Sequence, residues 1–577
     1  MAVAMASEGA FAVPEIWRST EAEDYTVDRK EVFEFAGRPV VRSQKSEDGN
    51  RIWETAFTSK DFCDATVAIE KKDGTILRHL AAGVLGPNAP EPFRKKSLDQ
   101  KLVWDGKDDL ERYIDNLAGV RVRVSLGLKP RFEKMLDRFP KRRVAWRRAP
   151  MMVAQPEGVY VYDGGGIESI RLYGHDGRYI RTVYPFPANK VKDVKGLNRY
   201  EFADGWRAPK CLGFYAATCL KGGIGRKDAS WGTSATAFAV NAGRIASRFT
   251  LKDMREVPFD YGENRAARHP GTHGGPMLMS AIVLPGNLPG NWKESGMGVN
   301  AKGEIVAHCH NAKWRYTPSR YKWNRLDPRL AAAPKAYRLP IYPGRLRHAE
   351  IHVFDKHGKV IGMDIVGRGA PGGNNTYIDA RGDVYFFSAQ NRRYPNPAFS
   401  KFTGCVMKFK RGKGRFLTPR GALSLPKEAY PGVPPHFGLG NNGDLWVQDV
   451  EWVYPGAGFA RNSAPCTCWR SQFALDLLGR SFIPSGIRNQ VAVLDTNGNL
   501  ILHMGRTGNV DDGVPLVEDM RYRTEKPRPI GGDELALFYA NHLAVHSDQR
   551  LYITDTGNSR IVSVKLDYHA VVTVPVP

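Results

Sequence analysis

Short strand–turn–strand units recur from residue 151 onward, and they constrain the fold more than any other feature of the sequence. Each unit has an apolar strand, a turn and a second apolar strand, as in NTYIDARGDVYFFSA. The turn positions are Gly158, Gly243, Gly303, Gly382, Gly443, Gly479 and Gln549. Several units are followed by a second hairpin, such as VAVLDTNGNLI, and two hairpins make a four-stranded sheet. Repeated four-stranded sheets predict an all-β chain with a β-propeller of six or seven blades.

The last unit carries a motif with a family resemblance. The stretch YITDTGNSRIVSVKLD resembles an NHL repeat, whose blades show Asp-x-Gly-Asn-x-Arg before an aliphatic strand. Asp555, Gly557, Asn558 and Arg560 match that motif in full. The resemblance is clear over residues 435–577 and weak over 151–430. It implies a propeller similar to those of NHL-repeat and gluconolactonase-like proteins.

The segment before the propeller has a different pattern. Its characteristic residues are Val67, Ile69, Gly74, Trp104, Asp105, Gly106 and Asp108. On these residues the segment resembles the immunoglobulin-like module of flagellar-hook capping proteins, which implies a structural or docking β-sandwich. We therefore expect an N-terminal extension at residues 1–27, an immunoglobulin-like sandwich at 28–128, a basic linker at 129–150 and the propeller at 151–577.

The charge of the chain indicates the kind of partner. Lys and Arg number 84 against 60 Asp and Glu, a formal net charge of +24 that favours anionic partners. Residues 129–150, KPRFEKMLDRFPKRRVAWRRAP, could contact an anion or form a solvated linker. No nucleic-acid recognition motif accompanies the charge, so nucleic acid is not the expected partner. We expect an anionic polysaccharide or a small carbohydrate.

Targeting signals are weak. No apolar run approaches transmembrane length, so no membrane span is expected. The first residues, MAVAMASEGAFAVPEIW, lack the basic start and apolar stretch of a signal peptide. They fit a mature exported protein with an added methionine, which predicts a periplasmic or extracellular location, with a cytoplasmic one as the alternative. Seven cysteines in 577 residues imply no disulfide scaffold.

The shared frame of the units predicts a ring of polar side chains. The innermost strand of a propeller blade lines the central channel. Seven residues before the turn position, where that strand starts, four units carry His436, Gln472, Asn375 and His542. Imidazoles suit zinc and amides suit calcium, so these four are the candidate ligands of a divalent metal. The alternative is that they hydrogen-bond channel waters and blade ends.

Further candidates lie on second strands and in long insertions. His308 and His310 follow the turn of one unit by five and seven residues, which places them beside the ring as candidate bases. Trp314, Tyr316 and Trp469 could stack on sugar rings, and Arg320 and Arg470 could bind anions. Arg470 is assigned to orient the reacting anion, and Trp314, Tyr316, Arg320 and Trp469 to bind substrate. The alternative for the aromatics is packing on the propeller face.

Two functions remain open at this point. The first is a metal-dependent enzyme, a lyase or a hydrolase, acting on an anionic carbohydrate or a lactone. NHL-type propellers include amidating lyases with a His-bound metal in the channel, and the gluconolactonase group holds calcium there. This chain shares with them only histidines at channel-facing strand starts. The second function is a non-catalytic scaffold that binds a glycan or a protein.

Overall fold

In the computed structural model, the described part of the chain is built from β-strands and contains no helix. It comprises residues 30–138, 150–163, 169–184, 199–209, 238–241, 244–247, 278–281, 297–310, 349–355, 360–362, 365–366, 373–388, 403–417, 437–438, 444–458, 471–486, 488–509, 535–547 and 549–577. No helix in these ranges could therefore span a bilayer.

The first part of the chain folds as two packed sheets. One sheet has the order β1-β2-β5 and the other contains β3, β4 and the start of β6. The strands are β1 (Val40–Lys45), β2 (Arg51–Thr58), β3 (Asp64–Glu70), β4 (Ile76–Val84), β5 (Asp99–Trp104) and β6 (Arg121–Arg138). Strand β5 alternates buried and exposed positions and β2 alternates buried and half-buried ones, because only one face of their sheet meets the core. Trp53 and Trp104 pack there with ring centroids 5.0 Å apart.

The remaining strands form the propeller. In the first half they are β7 (Met151–Gln155), β8 (Gly158–Asp163), β9 (Ser169–Tyr173), β10 (Tyr179–Tyr184), β11 (Arg199–Glu201), β12 (Arg207–Pro209), β13 (Phe238–Asn241), β14 (Arg244–Ser247), β15 (Leu278–Ala281), β16 (Met297–Val299), β17 (Ile305–His310), β18 (Ala349–Phe354) and β19 (Val360–Gly362). Strands β7–β10 and β16–β19 each form a four-stranded sheet, as expected for blades.

The second half of the propeller joins strands from different units in one larger sheet. Its strands are β20 (Gly373–Ile378), β21 (Val384–Ser388), β22 (Gly404–Phe409), β23 (Arg415–Leu417), β24 (Phe437–Gly438), β25 (Asp444–Gln448), β26 (Trp452–Ala457), β27 (Ala474–Leu475), β28 (Ser481–Ser485), β29 (Gln490–Leu494), β30 (Leu500–Met504), β31 (Arg506–Thr507), β32 (Ala536–Leu537), β33 (Ala540–His546), β34 (Arg550–Asp555) and β35 (Arg560–Pro575). Strand β22 pairs with β26, and β26 pairs with β28. The hairpins β20–β21 and β27–β28 therefore belong to one eight-stranded sheet.

All seven predicted units form antiparallel hairpins. The pairs are β7–β8, β13–β14, β16–β17, β20–β21, β24–β25, β27–β28 and β33–β34. The first strands of neighbouring units approach one another, as β33 does β7 and β16 does β20. The prediction of an all-β chain with a propeller behind a β-sandwich is confirmed, and the immunoglobulin-like kinship of the sandwich stays a prediction.

An acidic residue three positions before the turn glycine closes several of these hairpins. The Asp379 carboxylate accepts hydrogen bonds from the backbone N–H groups of Arg381 (2.9 Å) and Asp383 (3.0 Å). Asp476 and Asp495 make the same pair of bonds in their own turns. Asp side chains favour turns for this reason, since their oxygens substitute for missing backbone acceptors.

Two long strands join the sandwich to the last blade. Strands β6 and β35 are antiparallel partners from Arg121–Pro575 to Arg138–Arg560. One half of this ladder lies beside β34 in the propeller, and the other half lies beside β3 in the sandwich. The final residues of the chain therefore complete the sheet that its first strands begin. The predicted domain limits stay a prediction, but the sheet itself continues across position 128.

Candidate functional site

The structure brings His542 and Gln472 side by side. Gln472 precedes β27 and forms a parallel bridge with His542 of β33. The Gln472 N–H donates to the Asn541 carbonyl at 2.9 Å, and the Leu543 N–H donates to the Gln472 carbonyl at 3.2 Å. The two predicted ligands thus lie on adjacent segments held by backbone bonds, as the shared frame of the units predicts.

Asn375, near the start of β20, lies beside the segment that carries Gln472. Its amide Nδ2 donates to the carbonyl of Phe473 at 3.3 Å, next to Gln472 in the chain. Its Oδ1 accepts the Thr376 N–H at 2.8 Å. Asn375, Gln472 and His542 are all buried. Three of the four predicted metal ligands therefore lie on neighbouring segments of the inner ring.

Met151 is a fourth member of this group. It occupies the same offset in the first unit, and its sulfur lies 3.5 Å from the Gln472 Nε2 that donates to it. The corresponding strands, β7 and β33, are neighbours. The frame that aligns the units thus correctly predicts neighbours in space, including Met151, which is not one of the predicted metal ligands.

A backbone carbonyl fixes the orientation of His542. The Nδ1 of His542 lies 3.0 Å from the carbonyl oxygen of Pro150, which also accepts a hydrogen bond from Thr554 Oγ1 at 2.8 Å. A carbonyl can only accept, so Nδ1 carries the proton and Nε2 carries the lone pair. This is the tautomer that metal-binding histidines commonly have.

The described residues fit a metal only in part. They supply one suitably oriented imidazole and two amides, and the Asn375 amide is already bonded to backbone at both of its ends. Within the described ranges, three or more His, Cys, Asp and Glu side chains nowhere gather into a ligand cluster. The set suits a borderline metal through Nε2 of His542 and lacks the carboxylates that calcium prefers.

His308 lies in a packed interior. The strand that carries it, β17, adjoins β20, and its ring is fully buried and meets Phe386 edge-on with centroids 5.3 Å apart. Neighbours of the two rings, including Val306 and Met407, belong to one hydrophobic cluster. His310 ends the same strand opposite Ala349. The role of either as a base stays a prediction, and the His308 environment is that of a packing residue.

Other predicted site residues lie outside the described residues. They are His436, Trp314, Tyr316, Arg320, Trp469 and Arg470. Their assignments as metal ligand, substrate contacts and anion-orienting group stay predictions.

Asp555 of the NHL-like motif connects neighbouring chain segments through hydrogen bonds. Its carboxylate accepts hydrogen bonds from the Phe538 N–H (2.9 Å), the Asn558 amide (2.7 Å) and the Arg560 guanidinium (2.9 Å). Burial raises the pKa of Asp555 above its usual value despite these donors. The motif therefore serves the fold.

Sequence reasoning missed the Pro150 carbonyl and Thr554. A backbone carbonyl leaves no trace in the side-chain pattern, so no sequence signal could have identified the Pro150 oxygen. Thr554 directly precedes Asp555, and its inward position follows from strand alternation.

Comparison with known proteins gives similarities at low identity. No protein-family model and no curated protein matches the sequence. A Bacteroides thetaiotaomicron protein of unknown function is 10% identical over 93% of this chain and 100% of that one, with a TM-score of 0.34. A putative gluconolactonase is 11% identical over 77% and 93%, with a TM-score of 0.31. Agrobacterium tumefaciens regucalcin, a calcium-binding protein, is 12% identical over 76% and 96%, with a TM-score of 0.29. Scores this low carry no inference about activity.

Proposed function

We propose that this protein is a metal-dependent propeller enzyme that acts on an anionic carbohydrate or a lactone at the end of its channel. The observation that carries the proposal is the convergence of His542, Gln472 and Asn375 on adjoining segments. A polar group at a channel end is a common position for a ligand site, because inner strands from several blades meet there. The formal net charge of +24 favours an anionic substrate.

In this proposal His542 is the protein's metal ligand, with His436, which lies outside the described residues, as its predicted partner. A divalent cation at the Nε2 of His542 would neutralise a substrate carboxylate or polarise a lactone carbonyl. The Pro150 carbonyl holds the imidazole in the required tautomer. The Gln472 amide supplies a polar edge that can hydrogen-bond a sugar hydroxyl.

Metal analysis of the purified full-length protein is the first test. We expect about one equivalent of a divalent metal after dialysis, with zinc bound more tightly than calcium because the imidazole of His542 prefers a borderline metal and calcium prefers carboxylates. His542→Ala should reduce the metal content, while Met151→Leu, at the same frame position, should not. A wild-type protein that binds no metal in equilibrium dialysis would refute the metal-dependent enzyme.

The second candidate is a glycan-binding scaffold, and the net charge favours it independently of any metal. A glycan array followed by product analysis separates the two functions. Tight binding of anionic glycans that survives chelation and yields no product supports the scaffold. Chelator-sensitive turnover of a uronate polymer or a sugar lactone supports the enzyme.

A further inference from the structure

Three side chains from distant parts of the sequence meet where the sandwich faces the propeller. His79 lies in β4, Asp109 in the loop after β5, and Ser547 in the turn between β33 and β34. The Nδ1 of His79 is 2.6 Å from Asp109 Oδ2, and its Nε2 is 2.7 Å from Ser547 Oγ. This order, hydroxyl to imidazole to carboxylate, is the order of groups in serine hydrolases.

The carboxylate fixes the imidazole. Ionised Asp109 can only accept, so Nδ1 of His79 carries the proton and Nε2 presents its lone pair to the Ser547 hydroxyl. The second Asp109 oxygen accepts the His79 backbone N–H at 2.9 Å. The Asp109 N–H in turn donates to the Leu77 carbonyl at 3.0 Å. Both ends of the His79–Asp109 pair are therefore anchored to β4.

Local distortions aim the two outer groups. A β-bulge at Leu80 shifts the register of β4 directly beside His79, and bulges re-aim side chains next to functional sites. Ser547 has a φ of 53°, an uncommon value for a residue with a side chain. Such strain occurs often at catalytic positions. The amide of Gln549 ties the Ser547 turn to the Gly74 carbonyl of the sandwich at 3.3 Å.

His79, Asp109 and Ser547 differ in how deeply they are buried. The His79 side chain is 3% exposed and that of Asp109 is 20% exposed. Ser547 is half-buried. A contact that only held two segments together would need one donor and one acceptor. The anchored Asp109 carboxylate also orients the imidazole and stabilises its protonated form, as a base that accepts a proton from serine requires.

We propose that Ser547, His79 and Asp109 form a serine-type esterase site that cleaves short-chain acyl esters. Ser547 Oγ bonds to the ester carbonyl carbon while its proton passes to Nε2 of His79. The bond from that carbon to the alcohol oxygen then breaks, and the alcohol leaves with the proton from His79. Water attacks the acyl-serine in the same way, releasing the carboxylic acid and restoring the Ser547 hydroxyl. Asp109 is the positioning residue.

This site is separate from the channel site. His542 and Ser547 lie on the same inner segment, five residues or about 16 Å apart if the strand is extended. The reaction requires no metal. A short acyl group is the expected substrate because the sandwich covers the His79 side of the site. The inference thus goes beyond the proposed metal-dependent activity and does not depend on it.

A fluorophosphonate probe on the intact protein tests the site directly. We expect stoichiometric labelling of Ser547, located by peptide mass spectrometry, and no labelling of the heat-denatured protein. His79→Gln should slow labelling by about 100-fold or more. Asp109→Asn should lower kcat for p-nitrophenyl acetate with little change in KM, which a purely structural role would not do.

Controls separate this site from the fold and from the metal site. Ser559→Ala, in a turn where the serine has a similar φ of 55°, should label like the wild type. Chelation should also leave labelling unchanged, so failure of the metal proposal is distinguishable. If the His79→Gln variant does not fold, the difference in Ser547 labelling between native and heat-denatured wild-type protein still tests the proposal. A native protein whose Ser547 stays unlabelled, or a folded His79→Gln labelled at the wild-type rate, overturns the proposal.

Discussion

Arg550 of β34 holds Glu133 of β6 through two hydrogen bonds of 2.9 Å, Nε to Oε2 and Nη2 to Oε1. Ser563 donates a third bond to the same carboxylate at 2.7 Å. Strand β35 lies between the two partners in the sheet. The pair therefore spans three strands at the ladder that closes the propeller, and its charge state bears on that closure.

Glu133→Gln should weaken closure in a pH-dependent way. Burial opposes ionisation of Glu133, but the bonds from Arg550 and Ser563 outweigh it and lower its pKa to about 2. A lowered pKa means that the stabilisation is present above the unfolded pKa and is lost as pH falls from about 4.5 toward about 2. We expect a loss of about 1 kcal/mol at pH 7, measured by urea unfolding. Glu34→Gln, in the exposed pair with Lys60, should have almost no effect.

Asp495 should show the opposite slope. It is fully buried and accepts the Val84 N–H at 3.0 Å, and burial raises its pKa to about 6. A raised carboxyl pKa means that stability contributed below the unfolded value of 3.8 is lost as pH rises through about 6. Asp495→Asn removes this titration. The stability of wild type relative to variant should thus fall between pH 4 and pH 7 by no more than about 1.4 kcal/mol per pH unit. A wild-type protein that becomes more stable relative to Asp495→Asn between pH 4 and pH 7 would contradict the prediction.

Gly158→Ala should be strongly destabilising. Gly158 has a φ of 148°, and a Cβ there would lie 2.2 Å from the backbone oxygen of Tyr173. Backbone cannot yield as a flexible side chain can, so we expect a loss of roughly 3 kcal/mol or more in thermal unfolding. Gly412→Ala is the matched control, because its φ is 71° but no atom lies within 4 Å of the added Cβ. It should cost only about 1–2 kcal/mol.

Val574→Asp should open the sandwich while Val571→Asp should not. Both residues lie on β35, on opposite faces of the strand. Val574 packs against the sandwich core, whereas Val571 is 49% exposed. Placing a carboxylate at this partly buried position against the core should cost roughly 1–3 kcal/mol and expose residues 30–138 to limited proteolysis. Equal proteolysis of the two variants would show that β35 does not seal the sandwich.

The sequence was sufficient to predict the hairpins and some of their neighbours in space. Period-two burial and turn glycines act locally, so each strand–turn–strand unit is visible in a short window. The offset of His542 from its turn matched that of Gln472, and equal offsets in repeated units become neighbours. This is why the Gln472–His542 bridge could be foreseen.

Long-range pairing could not be foreseen. Nothing near Leu126 indicates that it pairs with Ala570, because apolar strands are chemically interchangeable as partners. The same holds for β22 and β26. The meeting of His79, Asp109 and Ser547 depends on that long-range arrangement, and each residue alone belongs to an ordinary strand or turn.

The ladder between β6 and β35 also sets an order of events during synthesis. Strand β6 is made early and β35 last, so hundreds of residues emerge from the ribosome before β6 meets its partner. Until then the sandwich has an uncovered core edge and the ring of blades is open. Long-range pairing of this kind is slow because chain entropy is lost before contacts form. The strands of the sandwich therefore wait for a partner strand that lies hundreds of residues further along the chain.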